Sequence, residues 1–398
     1  MAVNENSTVR WFHSDMPGAP QFDATPGELI RILDACLIDG FGTKSPDGNK
    51  ITISNGVATV EFSSGHGFEK HTVIEIEGAT PANLSDVWRV TSTTATTFTF
   101  DCPGIPDGNA TGSITVKMAT PGYWEKTFDD GVSTAAFRSI HPDSSGCFLK
   151  IEDSDTGSDA HTVVQGYKTM SDLNTGTSPF PAETDYCGWM KYEFLSQITN
   201  GRLKWFVACD ERFFMLLITN TGTDDTFYYA TPYLFGDLRN TAITDQFPCV
   251  LTGHERSFAD SPTDYYSINR IENANSTQGL NIADNAAGLS GAQQWLLAGH
   301  SIADGSSWGQ GDDYPSTISN GYVFADVIFV LSSVSGPIRG MLPGIMQSLV
   351  ASDQVIGEPN GKGLAMVVVE PSHTYSKPIM AVGWVRICVG IDLWGPWR

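Results

Sequence analysis

The sequence has no C-x-x-C pair. Its seven cysteines, Cys36, Cys102, Cys147, Cys187, Cys209, Cys249 and Cys388, are scattered through 398 residues, and the odd count leaves at least one unpaired. That spacing argues against a zinc knuckle or a disulfide framework and for reduced, mostly buried thiols in a protein folded in a cytoplasm. Basic residues are scarce, 23 against 45 acidic, for a formal net charge of −22. Nucleic acid and anionic membranes need basic patches to displace counterions, so neither is an expected partner. No run approaches the roughly 20 apolar residues of a membrane span. The opening MAVNENSTVRWF lacks the basic-then-apolar order of a secretory signal. A G-x-x-x-x-G-K-[ST] phosphate loop is also missing.

What is present is turn chemistry and alternation. Forty Gly and 21 Pro punctuate a chain that is 41% hydrophobic, which predicts a mainly β protein with real cores. A length of 398 residues favours two or three folded units. One helix stands out at about 25–40, in TPGELIRILDACLIDGFG. Thr25 is placed to cap it, Pro26 suits its first turn and Glu28 completes a capping box. Leu29, Ile30, Leu33, Cys36 and Leu37 recur at helical spacing, and Gly40 and Gly42 end it, so one face should lie on a sheet.

From residue 51 the period changes to two. ITISNGVATVEF is a hairpin centred on Asn55-Gly56. HTVIEIEG, VWRVTS, TTFTF and GSITVKM supply further strands. The division expected is therefore an N-terminal segment with the helix (1–49), a small inserted β-barrel or sandwich (50–118) and a main β-rich domain (119–398). Within the last, RLKWFVACDERFFMLLITN reads as a hairpin turning at Cys209–Glu211. The stretch 255–325 reads as a long polar loop region broken by AQQWLLAGH. Fold class: mainly β, a multi-domain β-sandwich or barrel architecture with one prominent N-terminal helix.

SGHGFEKH sets His66 and His71 around Glu69, but a zinc site needs three or four ligands, and a Gly-His-Gly turn leading into a strand is the better account. In AGHSIADG, Ser301 approaches the G-x-S-x-G elbow, yet Ala303 replaces the last glycine and no α/β chain surrounds it. DSDTGSD offers Asp153, Asp155 and Asp159 at calcium-loop spacing, but Ser158 and Val164 stand where an EF-hand needs Gly and Glu; a hairpin turn between KIED and HTVVQ is preferred. GQGDDY (309–314) is similar, an acidic and flexible stretch in which a plain loop is preferred over a metal site. Trp88, in an alternating strand, is expected in a core. For IRGMLPG (338–344) an interface turn and a Pro-Gly turn between core strands are both open. No catalytic, cofactor-binding or metal residue is assigned, and no cofactor is expected.

Several stretches carry a resemblance: VRWFHSDMPGAP, ELIRILDACLIDGFG, GHGF with IEIEGA and VWRVTSTTATTFTF, KTMSDLNTGTSPFP, WFVACDERFFMLLI, YLFGDL, IRGMLPGIMQSL and DLWGPWR. Together they resemble a family of bacteriophage and prophage virion proteins, over nearly the whole chain. The resemblance implies a non-enzymatic structural component of a tailed-phage particle. It would be a tail protein of the tip, baseplate or collar, made in the host cytoplasm, that forms a ring with its own copies and contacts other virion proteins. The 255–325 region and the GPW terminus are the expected subunit contacts. The alternatives are a capsid decoration protein, an adhesion protein whose 50–118 knob binds a host glycan or receptor, and a tail-associated glycan hydrolase.

Overall fold

The computed structural model describes residues 8–22, 25–154, 161–181, 187–190, 203–219, 230–240, 245–255, 279–283, 295–298, 324–325, 327–331, 338–348, 356–357, 364–369 and 387–398. Within them the chain is mainly β, in four sheets whose ladders are all antiparallel. Among the described residues no helix is long and apolar enough to cross a membrane.

The first sheet has eight strands, in the order Phe41–Lys44, Thr111–Met118, Val73–Thr80, Val87–Thr93, Thr97–Asp101, Val57–Glu61, Ile51–Ser54 and Gly108–Asn109. Its hairpin turns where expected: Ser54 faces Val57, and Asn55 and Gly56 both have positive φ, 53° and 75°. Such a two-residue turn matches the twist of the strands it joins. The sheet is curled, not a closed barrel. One bent segment pairs at 108–109 with Ile51–Ser54 and at 111–118 with Val73–Thr80, so it spans from one edge of the ladder towards the other. Strand Phe41–Lys44 joins this sheet too, which carries its ladder ahead of residue 50.

The largest sheet has twelve strands. Its main path runs from Arg10–His13 through Trp205–Cys209, Phe213–Thr219, Ala230–Asp237, Cys249–Glu255, Cys187–Met190, His161–Asp172, Phe148–Glu152 and Thr134–Ser139 to Trp124–Asp129. The hairpin 205–219 turns where the sequence places it. Asp210 Oδ1 accepts the amides of Arg212 and Phe213, both at 2.8 Å, and every residue of Trp205–Cys209 is buried. The hairpin between KIED and HTVVQ is likewise present, with Glu152 facing Val163. In the 255–325 region, strand Gly279–Ile282 pairs with Cys249–Glu255, and Trp295–Ala298, inside AQQWLLAGH, pairs with Val327–Leu331.

The helix ends at Gly40 as expected but differs in its cap and in the form of its second half. It is α-helical over Glu28–Leu33 and widens into a π-helix over Asp34–Asp39, before Gly40 at φ 70°. Thr25 does not cap it. Gly27 does, at φ 74°, where a Cβ would lie 2.2 Å from the Val132 carbonyl oxygen. The polar cap comes from far along the chain: Asp153 Oδ2 accepts the Leu29 amide at 2.9 Å. A carboxylate at this position suits the partial positive charge of a helix N-terminus. Thr25 Oγ1 accepts from Arg31 instead. The helix is also more enclosed than a one-sided amphipathic element. Leu29, Ile30, Ile32, Leu33, Ala35, Cys36 and Leu37 are all buried, and Asp34 reaches Lys126 of the strand Trp124–Asp129 at 2.8 Å.

Candidate functional site

The trio in SGHGFEKH is divided among three tasks. His66 is buried between Phe62, Phe68 and Phe98, with ring centroids 5.4–5.9 Å away. Its Nε2 lies 2.9 Å from the Thr94 carbonyl and 3.1 Å from that of Thr97, while Nδ1 takes the Phe68 amide at 3.0 Å. This pattern assigns the neutral ring with its proton on Nε2. Burial pushes the His66 pKa below 6.5. Glu69 turns away to His13 of the N-terminal strand, at 2.9 Å. His71 stands two residues ahead of the strand Val73–Thr80, at φ 70°, with its amide on the Val90 carbonyl.

Asp153 is buried, accepting from Thr162 Oγ1 at 2.8 Å besides capping the helix. Asp155, Asp159, Ser301, Ala303 and GQGDDY lie outside the described residues. Among the described residues no group of three or more His, Cys, Asp and Glu could hold a metal ion. Cys36, Cys102, Cys147, Cys209 and Cys249 are free and buried. Trp88 is core, stacked on Phe100 at 5.1 Å with its indole N–H on the Leu84 carbonyl. In IRGMLPG, Arg339 is buried. It is paired with Asp245 and bonded to the carbonyls of Phe247 and Ala283, each at 3.0 Å. The GPW end packs inside its own chain: Trp397 is buried, with its indole N–H on the Asp392 carbonyl.

The residues that reasoning from sequence missed are arginines, Arg89 and Arg10 buried and Arg398 partly buried. Arg89 reaches four carbonyls from three distant segments: His71 at 2.8 Å, Leu393 at 3.0 Å, and Val9 and Trp394 at 3.2 Å. Trp394 covers it, 5.0 Å from guanidinium to ring centroid. Burial, with Arg10 nearby, pulls the Arg89 pKa down to about 9, which leaves it charged at neutral pH. Arg10 bonds the Thr120 carbonyl, and burial pulls it to about 10. Arg398 holds Asp210 at 2.8 Å and the carbonyls of Leu238 and Asp237. A planar, permanently charged fork with five donors suits such a task, because it satisfies several fixed carbonyls at once. A signal was in the sequence: Arg10 in VRWF, Arg89 in VWRV and Arg339 in IRGM each sit between apolar strand residues. Arg138 in AFRS limits that signal, since it is half exposed on Phe148 and paired with Glu125.

At the other end of the large sheet, apolar side chains meet solvent. Tyr123 and Ile140 are each 49% exposed beside the last strand, Trp124–Asp129. Tyr123 is held at φ 59° by the Ile140 amide on its carbonyl, 2.7 Å, and by the edge of His141 at 4.8 Å. A tyrosine at positive φ is a costly conformation. Compared with known proteins, the chain matches no family model and no curated sequence.

Proposed function

We propose that the protein is a non-enzymatic structural component of a tailed-phage virion, a tail protein of the tip, baseplate or collar whose copies assemble into a ring. The observation that carries this reading is the use made of polar chemistry. His66, Asp153, Asp210, Arg89, Arg339 and Arg398 are each committed to backbone groups or to one another within the scaffold. Side chains so engaged hold sheets in fixed relation, as a load-carrying subunit requires. Exposed Tyr123 and Ile140 on the rim of the twelve-stranded sheet add support, since aromatic and apolar side chains anchor protein interfaces. The family resemblance of the sequence supplies the class of particle.

The test is immunogold labelling of intact particles with antibody raised against this chain. Gold at the tail end or neck is expected. Gold spread over the head would replace the reading with capsid decoration. No gold on intact or disrupted particles would end the virion reading and return glycan adhesion and hydrolysis to consideration.

A further inference from the structure

The twelve-stranded sheet curls until its last strands meet the 210–212 turn near its first. Trp124 Nε1 donates to the Asp210 carbonyl at 2.9 Å, and Ser139 Oγ to that of Glu211 at 2.7 Å. The connection 140–147 crosses the same seam. Arg212 donates to the Asp143 carbonyl at 2.9 Å, and Asp237 accepts both the amide of Ser145, at 2.7 Å, and its hydroxyl. Ser145 Oγ in turn accepts the Cys147 amide at 3.4 Å. Asp237 faces Cys249 across the ladder, so their side chains leave the sheet on one side. The carboxylate that holds Ser145 therefore brings Cys147 onto Cys249. The two thiols are hydrogen-bonded to each other, and Ser145 is bonded to Cys249 as well. Both cysteines are free and buried, 3% and 1% exposed.

We propose that Cys147 and Cys249 form an oxidation site, at which hydrogen peroxide converts the two thiols into a disulfide that staples the seam of the curled sheet. Cys147 reacts first, because it follows exposed Pro142 and Asp143 and half-buried Ser144–Gly146, whereas Cys249 opens an interior strand. Burial, with Cys147 and Asp237 beside it, pushes the Cys249 thiol well above the usual thiol range, so it keeps its proton until the second step. The Cys147 sulfur attacks one peroxide oxygen, the O–O bond breaks, and a sulfenic acid and water result. The Cys249 sulfur then attacks the Cys147 sulfur. The S–S bond forms, the S–O bond breaks, and hydroxide leaves with the Cys249 proton as water. Two thiols and one peroxide thus become one disulfide and two waters. Bonded sulfurs stand about 2.05 Å apart. Gly146, at φ 68° with nothing within 4 Å of a built Cβ, leaves the turn room to close that distance. The bridge spans about 100 residues of chain, a length at which cross-linking strongly restricts the unfolded state. The site rests on intrachain contacts and stands whether or not the protein belongs to a virion.

The test uses the full chain, purified with its thiols reduced and treated with hydrogen peroxide at neutral pH, below its melting temperature. Remaining thiols are blocked with N-ethylmaleimide, and an unreduced digest is read by mass spectrometry. The expected result is a linked Cys147–Cys249 peptide, two of the seven thiols lost, and full reversal by dithiothreitol. The oxidised chain should melt at least about 5 °C above the reduced one, as the closing of a long loop requires. In Cys249→Ala the bridge is absent, and Cys147 is trapped as a sulfenic acid by dimedone. Should that variant fail to fold, the peptide map of the parent carries the test alone. All seven thiols surviving treatment, a bridge between any other pair, Cys147 driven to sulfinic acid in the parent, or a bridged chain that melts no higher would overturn the proposal.

Discussion

The eight-stranded and twelve-stranded sheets are built from the same kinds of strand but are held by different means. The smaller one closes over aromatic rings contributed by neighbouring hairpins, with Phe62, Phe68, Phe98 and Phe100 all within residues 41–118. The larger one draws its first strand, Arg10–His13, onto Trp205–Cys209 from the far end of the sequence. Its polar joints, Arg398 on Asp210 and Arg339 on Asp245, also span long stretches of chain. Local closure needs only pattern and turns, whereas long-range closure needs groups that fix distant carbonyls.

The sharpest way to probe that contrast is to empty each core. Phe98 and Phe214 are both fully buried, the first among Phe62, Phe68 and His66, the second against Trp124, Trp189 and Phe235. Phe98→Ala and Phe214→Ala should each cost about 3–5 kcal/mol. One cluster of buried side chains runs through both regions. Urea unfolding at pH 7 should therefore give a single transition that either substitution moves. Two transitions, each moved by one substitution alone, would make the smaller sheet autonomous.

Glycines sharpen the comparison at a smaller scale. Gly56 turns the 51–61 hairpin at φ 75° with open space around it, Pro103 Cα being 3.8 Å from a built Cβ. Gly56→Ala should cost about 1–2 kcal/mol, the strain of left-handed backbone alone. Gly236, at φ 128°, lies under the hairpin turn, where a Cβ would meet the Arg212 carbonyl oxygen at 2.2 Å and Phe213 Cα at 2.6 Å. Gly236→Ala should cost more, about 3 kcal/mol, because backbone must move. Denaturant midpoints of the two variants decide the order.

The same contrast explains what was legible. Asn55-Gly56, the turn at Asp210 and the core place of Trp88 follow from neighbours in sequence, so pattern reveals them. The helix cap does not. Thr25 and Glu28 satisfy every local rule, yet Asp153 arrives through tertiary structure and takes the amide. The four carbonyls on Arg89 are equally invisible, since three of them come from segments that no local window includes. For His66 and His71 the spacing shows only a turn that leads into a strand. Their actual tasks, an aromatic core and a junction, depend on Phe98 and Trp394.

Acid should single out the smaller sheet. His66 has a pKa lowered by burial, so the neutral ring belongs to the fold and the unfolded chain binds the proton first. Stability from this group is complete above pH 6.5 and declines as pH falls below 6.5 towards the folded-state pKa. Protonation also removes the acceptor for the Phe68 amide. His66→Asn should flatten the pH dependence of unfolding in that window. An unaltered slope would place the responsible group elsewhere.

The weakest effect belongs to a turn of the larger sheet and has the same sign in a lower pH window. Asp130 Oδ1 accepts three amides, those of Val132 at 2.8 Å, Ser133 at 2.9 Å and Thr134 at 3.0 Å. The Thr134, Val132 and Ser133 amides hold its carboxyl at about 2, below the ordinary 3.8. The charged form is the bound form, so the unfolded chain again takes up the proton first. Here the stabilisation is whole above pH 3.8 and disappears as pH falls through about 2. The carboxylate is fully exposed, which keeps the gain small. Asp130→Ala should therefore lower the melting temperature slightly at pH 7, and the gap from the parent should close on acidification to pH 2. A gap that is constant down to pH 2 would mean that the turn uses the side chain's shape and not its charge; Asp130→Asn, which keeps an acceptor oxygen, would then match the parent.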